Sequence, residues 1–401
     1  MSEESSNKAI LILGSGATAG SGNLSDGKQL PTDNEFFKNS TSDNSRARKL
    51  IEEDGAFPAL RIMLKKFLDK KDGFKQDKGL YNVWNNIFIL RGLGRSGVIR
   101  FDPDVIDEYH GLKNHSWPEK REYQKEHYEN FFSIEDRFRP YEYALTELAI
   151  WDLRVLVKKV YSEYTPDCSV VKQLWDDLKG KLMAVVNLNY DTTFDKSIDG
   201  FYYPGIHEPK GRIPLIRPHG SLDWTDIGIF RKAIPGIYWN WKESSEPISL
   251  SEMGFRKGNG NFLDFKQPMI VSPAYFKEEI VGNSSSPGFI NKNILRNQWM
   301  AVEKVLRKSD HWIFLGTSLA SGDDHLVSLL KYHYKGAKHK ICFSQYGNDH
   351  AVCEKLVNLF PTTHICAHQI KEEEKIDNLK HCENLQKIIT DNPGGRLDPL
   401  V

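Results

Sequence analysis

The chain has 401 residues, 39% hydrophobic and 27% charged, and its 54 basic and 54 acidic side chains leave no formal net charge. This is the balance of a soluble globular protein with a few domains, or one domain carrying a large insertion. It excludes a chain-wide basic footprint for nucleic acid, and no apolar run approaches the roughly 18–20 residues that span a bilayer.

The N-terminal residues Met1–Ser6 are polar and acidic, with neither the basic nor the apolar region of a signal peptide, so a cytoplasmic location is expected. Ala9–Leu13 is an uninterrupted apolar run, read as a strand buried on both faces. It feeds the turn Gly14-Ser15-Gly16-Ala17-Thr18. Glycine there lets backbone approach a diphosphate, and free N–H groups beyond it can hold the charge. The spacing departs from G-x-G-x-x-G, and a ligand-free tight turn fits as well.

The next strand-like run begins near Leu182, about 160 residues on, too far for one crossover helix. A large insertion is therefore expected between them. Phe57–Leu68 has helical spacing, and Tyr141–Tyr164 places Leu145, Leu148, Ala149, Leu153, Leu156 and Val160 on one face. Gly92–Pro140 is polar but holds Trp117, Tyr123, Tyr128, Phe131 and Phe132, which fits either an irregular helical layer or a partner surface.

Leu182–Val186 reads as the second strand, followed by Asn187-Leu188-Asn189-Tyr190-Asp191. In an open parallel sheet ligands sit at the carboxyl ends of strands. Asn189 can hold a water or a ribose hydroxyl there, or Asn189 and Asp191 can cap the next helix. Gly205–Asn261, rich in Gly, Pro and Trp, is expected to be loops with a short hairpin; within it His219 lies between Pro218 and Gly220. A histidine so fixed serves as a general base or as a backbone-bonded loop residue.

Met269–Val271, Trp312–Leu315 and Lys340–Phe343 read as further strands. The turn after Trp312–Leu315, Gly316-Thr317-Ser318, can contact phosphate or ribose, and Asp323 with His325 reads as a helix N-cap with a first-turn residue or as a metal pair. Lys371–Thr390 reads as a charged surface helix before a flexible tail. The five cysteines form no Cys-x-x-Cys pair, and His364, Cys366, His368, His381 and Cys382 match no common zinc spacing. No metal is expected. The alternation of short apolar runs with helical stretches gives an α/β chain. The expected fold is a Rossmann-like parallel sheet with helices on both faces. Residues 1–40 and 181–370 form this core, 41–180 a mostly helical insertion, and 371–401 a C-terminal helix and tail.

Taken in order, Gly14-Ser-Gly-Ala17, Asn189-Tyr-Asp191, His219-Gly-Ser221 and Gly316-x-Ser318 with Asp323-x-His325 resemble the motif series of the sirtuin superfamily. The likeness is to the sirtuin-like domains of bacterial antiphage defence proteins, and Ser272–Lys277 resembles a Pro-containing turn found there. It covers residues 10 to about 325 but neither the insertion nor the tail. The resemblance implies that Gly14, Ser15, Gly16, Ala17 and Thr18 cradle the NAD diphosphate. It implies that Asn189 holds the nicotinamide ribose or a water beneath it, that Asp191 braces that loop, and that His219 acts on the ribose hydroxyls or the attacking water. Gly316, Thr317 and Ser318 would bind the adenosine side. Sirtuin deacylases carry two zinc-binding Cys-x-x-Cys pairs and an acyl-lysine strand, and neither is recognisable here. The implied activity is NAD hydrolysis to nicotinamide and ADP-ribose, as a defence effector that depletes cellular NAD once triggered. Deacylation, ADP-ribosyl transfer and a catalytically inactive nucleotide-binding scaffold are the alternatives. The implied partners are further copies of the chain or a HerA-type hexameric ATPase, with no membrane and no direct nucleic-acid contact.

Overall fold

The computed structural model describes residues 9–19, 22–23, 31, 35–37, 46–53, 56–65, 79–117, 122–135, 140–162, 165–166, 169–205, 212–225, 268–270, 292–317, 319, 323–346, 351–361, 363 and 365–370. In chain order the strands are β1 (Ala9–Leu13), β2 (Gly22–Asn23), β3 (Thr165–Pro166), β4 (Leu182–Asn187), β5 (Phe201–Tyr202), β6 (Ile213–Ile216), β7 (Gly220–Thr225), β8 (Pro268–Ile270), β9 (His311–Leu315), β10 (Lys340–Tyr346) and β11 (Ile365–Ile370). The longer helices are α1 (Ser15–Ala19), α2 (Arg46–Glu53), α3 (Pro58–Met63), α4 (Leu80–Arg95), α5 (Pro103–Gly111), α6 (Glu122–Glu135), α7 (Tyr141–Ser162), α8 (Ser169–Leu178), α9 (Thr193–Ser197), α10 (Lys292–Lys308), α11 (Asp324–His333) and α12 (Ala351–Leu359).

Seven strands form one sheet in the order β11-β10-β9-β1-β4-β6-β5. Every pairing in it is parallel. All five residues of β1 are buried. Ile10 and Ile12 face a cluster completed by Trp299, Val302 and Leu306 of α10 and Leu326 and Leu330 of α11. Leu11 and Leu13 point to the opposite side of the pleat and are buried too, which requires cover on each face. This is an α/β, Rossmann-like sheet. The chain leaves β1 toward β4 on one side and returns at β9 on the other. That reversal opens a crevice beyond the carboxyl ends of β1 and β9.

One strand of this sheet, β6, lies in the stretch Gly205–Asn261 read from sequence as loops, and β5 lies just before it. β6 contains Pro214, which argues against a strand, yet it pairs on both sides: Leu215 with Val185 of β4, and Pro214 with Tyr202 of β5. Met269 corrects the sequence reading in the other direction. Its strand β8 stays out of the main sheet and pairs antiparallel with β7. Cys366 and His368, considered above as metal ligands, belong to the edge strand β11. His364, His381, Cys382 and the stretch Lys371–Thr390 lie outside the described residues. Among the described residues no group of three or more His, Cys, Asp or Glu is placed to hold a metal. No described helix is long and apolar enough to cross a membrane.

Between β1 and β4 the described chain is helical apart from the short antiparallel pair β2–β3, with α7 at its centre. The single apolar face expected for α7 is not what forms. Residues 142–157 are all buried, including Glu142, Glu147, Asp152 and Arg154. The charges are tolerated because they have partners. Glu142 accepts from the Phe101 amide at 3.1 Å, and Arg91 binds both Glu147 and the Tyr143 hydroxyl. Tyr128, Phe131 and Phe132 of α6 are buried in the same cluster, so these aromatics build the insertion's core and not an outward surface.

Asp152 sets a testable property of this core. Its Oδ2 accepts from the Leu60 amide (3.1 Å) and from the Tyr128 hydroxyl (2.8 Å), while Oδ1 is buried with no hydrogen-bond partner among the described residues. Burial pushes its carboxyl up to about 8 from 3.8, against the opposing pull of those hydrogen bonds. A raised carboxyl pKa means that the folded state binds the proton more tightly, so stability falls as pH rises from the unfolded value through about 8. Asp152→Asn keeps an acceptor and removes the ionisation. The variant is expected to unfold at a higher denaturant midpoint than the parent at pH 8, with the gap narrowing toward pH 4. A gap that widened as pH fell would contradict this assignment.

Candidate active site

Four turns meet at the reversal of strand order. At the floor of the crevice the turns after β1 and β9 interlock. The Gly14 amide donates to the Leu315 carbonyl (3.0 Å), the Gly16 amide to the Gly316 carbonyl (2.8 Å), and the Ala17 amide to the Gly14 carbonyl (2.9 Å). The fit leaves no room for side chains. A Cβ on Gly14 would lie 2.4 Å from the Thr317 Cα, and one on Gly316 would lie 2.0 Å from the Ala17 nitrogen. Gly316 also has φ +61, in the left-handed region that glycine tolerates. These glycines are therefore required by loop-on-loop packing, and the amides of Gly14, Gly16 and Ala17 serve the fold. Ser15 is exposed at the mouth of the turn.

Thr18 is buried and joins this floor to the turn after β4. Its Oγ1 accepts from the Asn189 amide Nδ2 at 3.3 Å and lies 3.1 Å from Asp191 Oδ2, to which it donates. Asp191 Oδ1 accepts from the Thr193 amide at 2.9 Å at the start of α9. Thus Asp191 both caps a helix and holds Thr18. The Asn189 amide N–H is itself taken by Asn187 Oδ1 at 3.0 Å.

Arg217 comes next, and sequence reasoning assigned it no role. Its guanidinium is fully buried. Nη1 donates to the Asn189 carbonyl (2.9 Å), and Nη2 donates to the Asp191 carbonyl (2.7 Å) and to the Asp195 carboxylate. Burial works to lower the Arg217 pKa, but Asp195, Tyr203 and Asp191 outweigh it and hold the charge firmly on. The Arg217 amide donates to Gln298 Oε1 of α10 at 2.8 Å. Nothing in the local sequence signals this role; the carbonyls of Asn189 and Asp191 brought around the guanidinium reveal it.

His219 is buried between the rings of Tyr190 and Trp299, with centroids at 6.2 Å and 5.9 Å. Its Nδ1 lies 3.1 Å from the Leu188 carbonyl. A carbonyl only accepts, so Nδ1 carries a hydrogen. Nε2 then lies 3.5 Å from Asp323 Oδ1. Asp323 occupies the N-cap position of α11 but makes no side-chain capping bond. His325 lies in the first turn of α11, and its ring stands edge-on to Trp299 at 4.7 Å.

Thr317 is buried, and its Oγ1 accepts from the Leu319 amide at 3.3 Å, supporting Leu319 at φ 45. Such a backbone is costly for leucine and persists where surrounding structure enforces it. Ser318 and Ser272–Lys277 lie outside the described residues. The insertion reaches this site as well: Trp84 of α4 packs on Tyr190 at 6.2 Å, and Tyr190 packs on His219.

No protein-family model matches the sequence, and no curated protein matches it. A solved structure described as "Structural Basis for the Mechanism and Regulation of Sir2 Enzymes" is similar over 96% of this chain and 92% of its own, at 12% identity and a TM-score of 0.33. The fold class rests on the strand order given above.

Proposed function

We propose that the chain is a sirtuin-like enzyme that binds NAD at the β1/β9 crevice and hydrolyses the bond between nicotinamide and ribose. One observation carries this reading. The carboxamide of Asn189 is anchored on Thr18 of the glycine turn, and the ring of His219 is anchored on Leu188, the residue before Asn189. That a carboxamide and an imidazole are held by adjacent residues of one loop, at the end of the sheet where such folds hold nucleotides, supports the reading.

Breaking this bond builds positive charge at the anomeric carbon while nicotinamide leaves as a neutral base, so no general acid is needed. The protein has to fix the ribose, shield one face and place a water on it. In this reading Asn189 positions the ribose or the water, and His219 accepts a proton from a ribose hydroxyl or from that water. Ser15 is the turn residue open to the diphosphate. The glycines act indirectly, by letting the Gly14–Thr18 and Gly316–Thr317 turns close on one another. A role in antiphage defence, held inactive until self-assembly or a HerA-type ATPase triggers it, belongs to the same proposal.

Product analysis tests it. Purified protein, alone and with co-expressed genomic neighbours, is incubated with NAD. Nicotinamide and free ADP-ribose are expected in equal amounts. O-acyl-ADP-ribose or labelled protein would mean transfer to another acceptor. NAD binding without turnover under every condition would make the chain a nucleotide-binding scaffold.

A further inference from the structure

We infer that Arg217 is the positioning residue of the site: its guanidinium fixes the backbone of the Asn189–Asp191 loop and thereby aims the Asn189 carboxamide. The inference rests on the proposed NAD chemistry for its consequence, though not for its geometry. Two carbonyls from one short loop, those of Asn189 and Asp191, converge on the two terminal nitrogens of one side chain. Carbonyls so close in a chain do not point at a common spot in a helix or a strand, so a fixed local conformation is being held. The guanidinium suits this task because it is planar, with parallel donors in a rigid fork.

The arrangement is supported from behind. Asp195 compensates the buried charge and in turn accepts from the Tyr203 hydroxyl. Gln298 of α10 receives the Arg217 amide and donates to the Pro204 carbonyl at 2.7 Å, tying the arginine's own backbone to a helix of the core. Arg217 also lies two residues before His219, and the Gly220 amide donates back to the Arg217 carbonyl at 3.0 Å. One residue therefore sets both the loop that carries the carboxamide and the turn that carries the imidazole. It touches neither the crevice nor any reacting atom, which separates its role from that of Asn189 and His219.

Arg217→Lys tests the inference. Lysine keeps the charge opposite Asp195 but offers a single ammonium where two parallel N–H groups are needed. Turnover of NAD is expected to fall about 100-fold in kcat with KM changed by less than about threefold, the pattern of misplaced chemistry with retained binding. Hydrogen exchange should quicken at the loop amides, Thr193 foremost, with the rest of the sheet unchanged. In an Asn189→Ala background the lysine substitution should cost clearly less than in the parent, because a large part of its effect passes through Asn189. If Arg217→Lys does not fold, the charge-neutral pair Arg217→Gln with Asp195→Asn removes the fork without stranding an ion, and the same three results are expected.

Parent-like kcat in a folded variant would overturn the inference. So would a full second loss on top of Asn189→Ala, or unchanged exchange in the loop. If the parent chain itself neither binds nor cleaves NAD, the NAD reading fails; the exchange measurement then still decides whether Arg217 holds the loop.

Discussion

Alanine at Asn189 or at His219 is expected to lower nicotinamide release by about a hundredfold to ten-thousandfold, the range for losing a positioned acid–base group at His219 and a preorganised hydrogen-bonding group at Asn189. The protein should remain folded in both cases. Asn189→Ala removes the donor to Thr18, but the Thr18 hydroxyl still donates to Asp191, so it is not stranded. The stability cost should be on the order of 1 kcal/mol, that of one hydrogen bond. His219→Ala leaves a void between Tyr190 and Trp299 and strips the Leu188 carbonyl of its donor. That should cost about 1–3 kcal/mol. Steady-state kinetics beside denaturant titration checks both halves. A doubly substituted chain that hydrolysed NAD at the parent rate would remove both residues from the mechanism.

Gly316→Ala is expected to be among the most destabilising single changes available to this protein, at about 3 kcal/mol or more. Two effects add. The new methyl would sit 2.0 Å from the Ala17 nitrogen and 2.3 Å from the Gly16 carbonyl carbon, which are backbone atoms with no rotamer to escape into. The backbone at φ +61 also disfavours any Cβ. Relief requires the turns after β1 and β9 to separate, which breaks the bond from the Gly16 amide to the Gly316 carbonyl. Both the denaturant midpoint and NAD turnover should fall. A glycine needed only for approach to a diphosphate would behave differently, losing affinity for NAD while the midpoint stayed put. A Gly316→Ala chain with parental stability would show that the interlocked turns are not as tight as described.

The strands of the sheet's centre could be read from sequence because each is an apolar run with no alternation, and few structures other than a doubly covered strand produce one. β6 was hidden by Pro214 and β5 by its two-residue length. Met269 was correctly seen as a strand but assigned to the wrong neighbourhood, since an apolar run does not encode its partner. The helix α7 was visible by period, whereas its buried charges depend on partners from other elements such as Arg91, Tyr128 and the Phe101 amide. At the site, the residues read from motifs lie on turns that converge, while the bonds that join them were not legible. Arg217 and Asp323 acquire meaning only when remote segments surround them. The glycines were noticed for the right reason of space, but the space is filled by the chain's own backbone.

The position of β1 has a consequence for how the protein is made. The strand emerges first yet sits at the middle of the sheet, with neighbours at residues 182–187 and 311–315. Contacts so distant along the chain form slowly and carry a large loop-closure cost. A growing polypeptide on the ribosome therefore cannot assemble the crevice until β9 has been synthesised, and nascent or prematurely terminated products lacking that strand have no complete site. Whatever chemistry the crevice performs is confined, by topology alone, to chains that have been translated past Thr317.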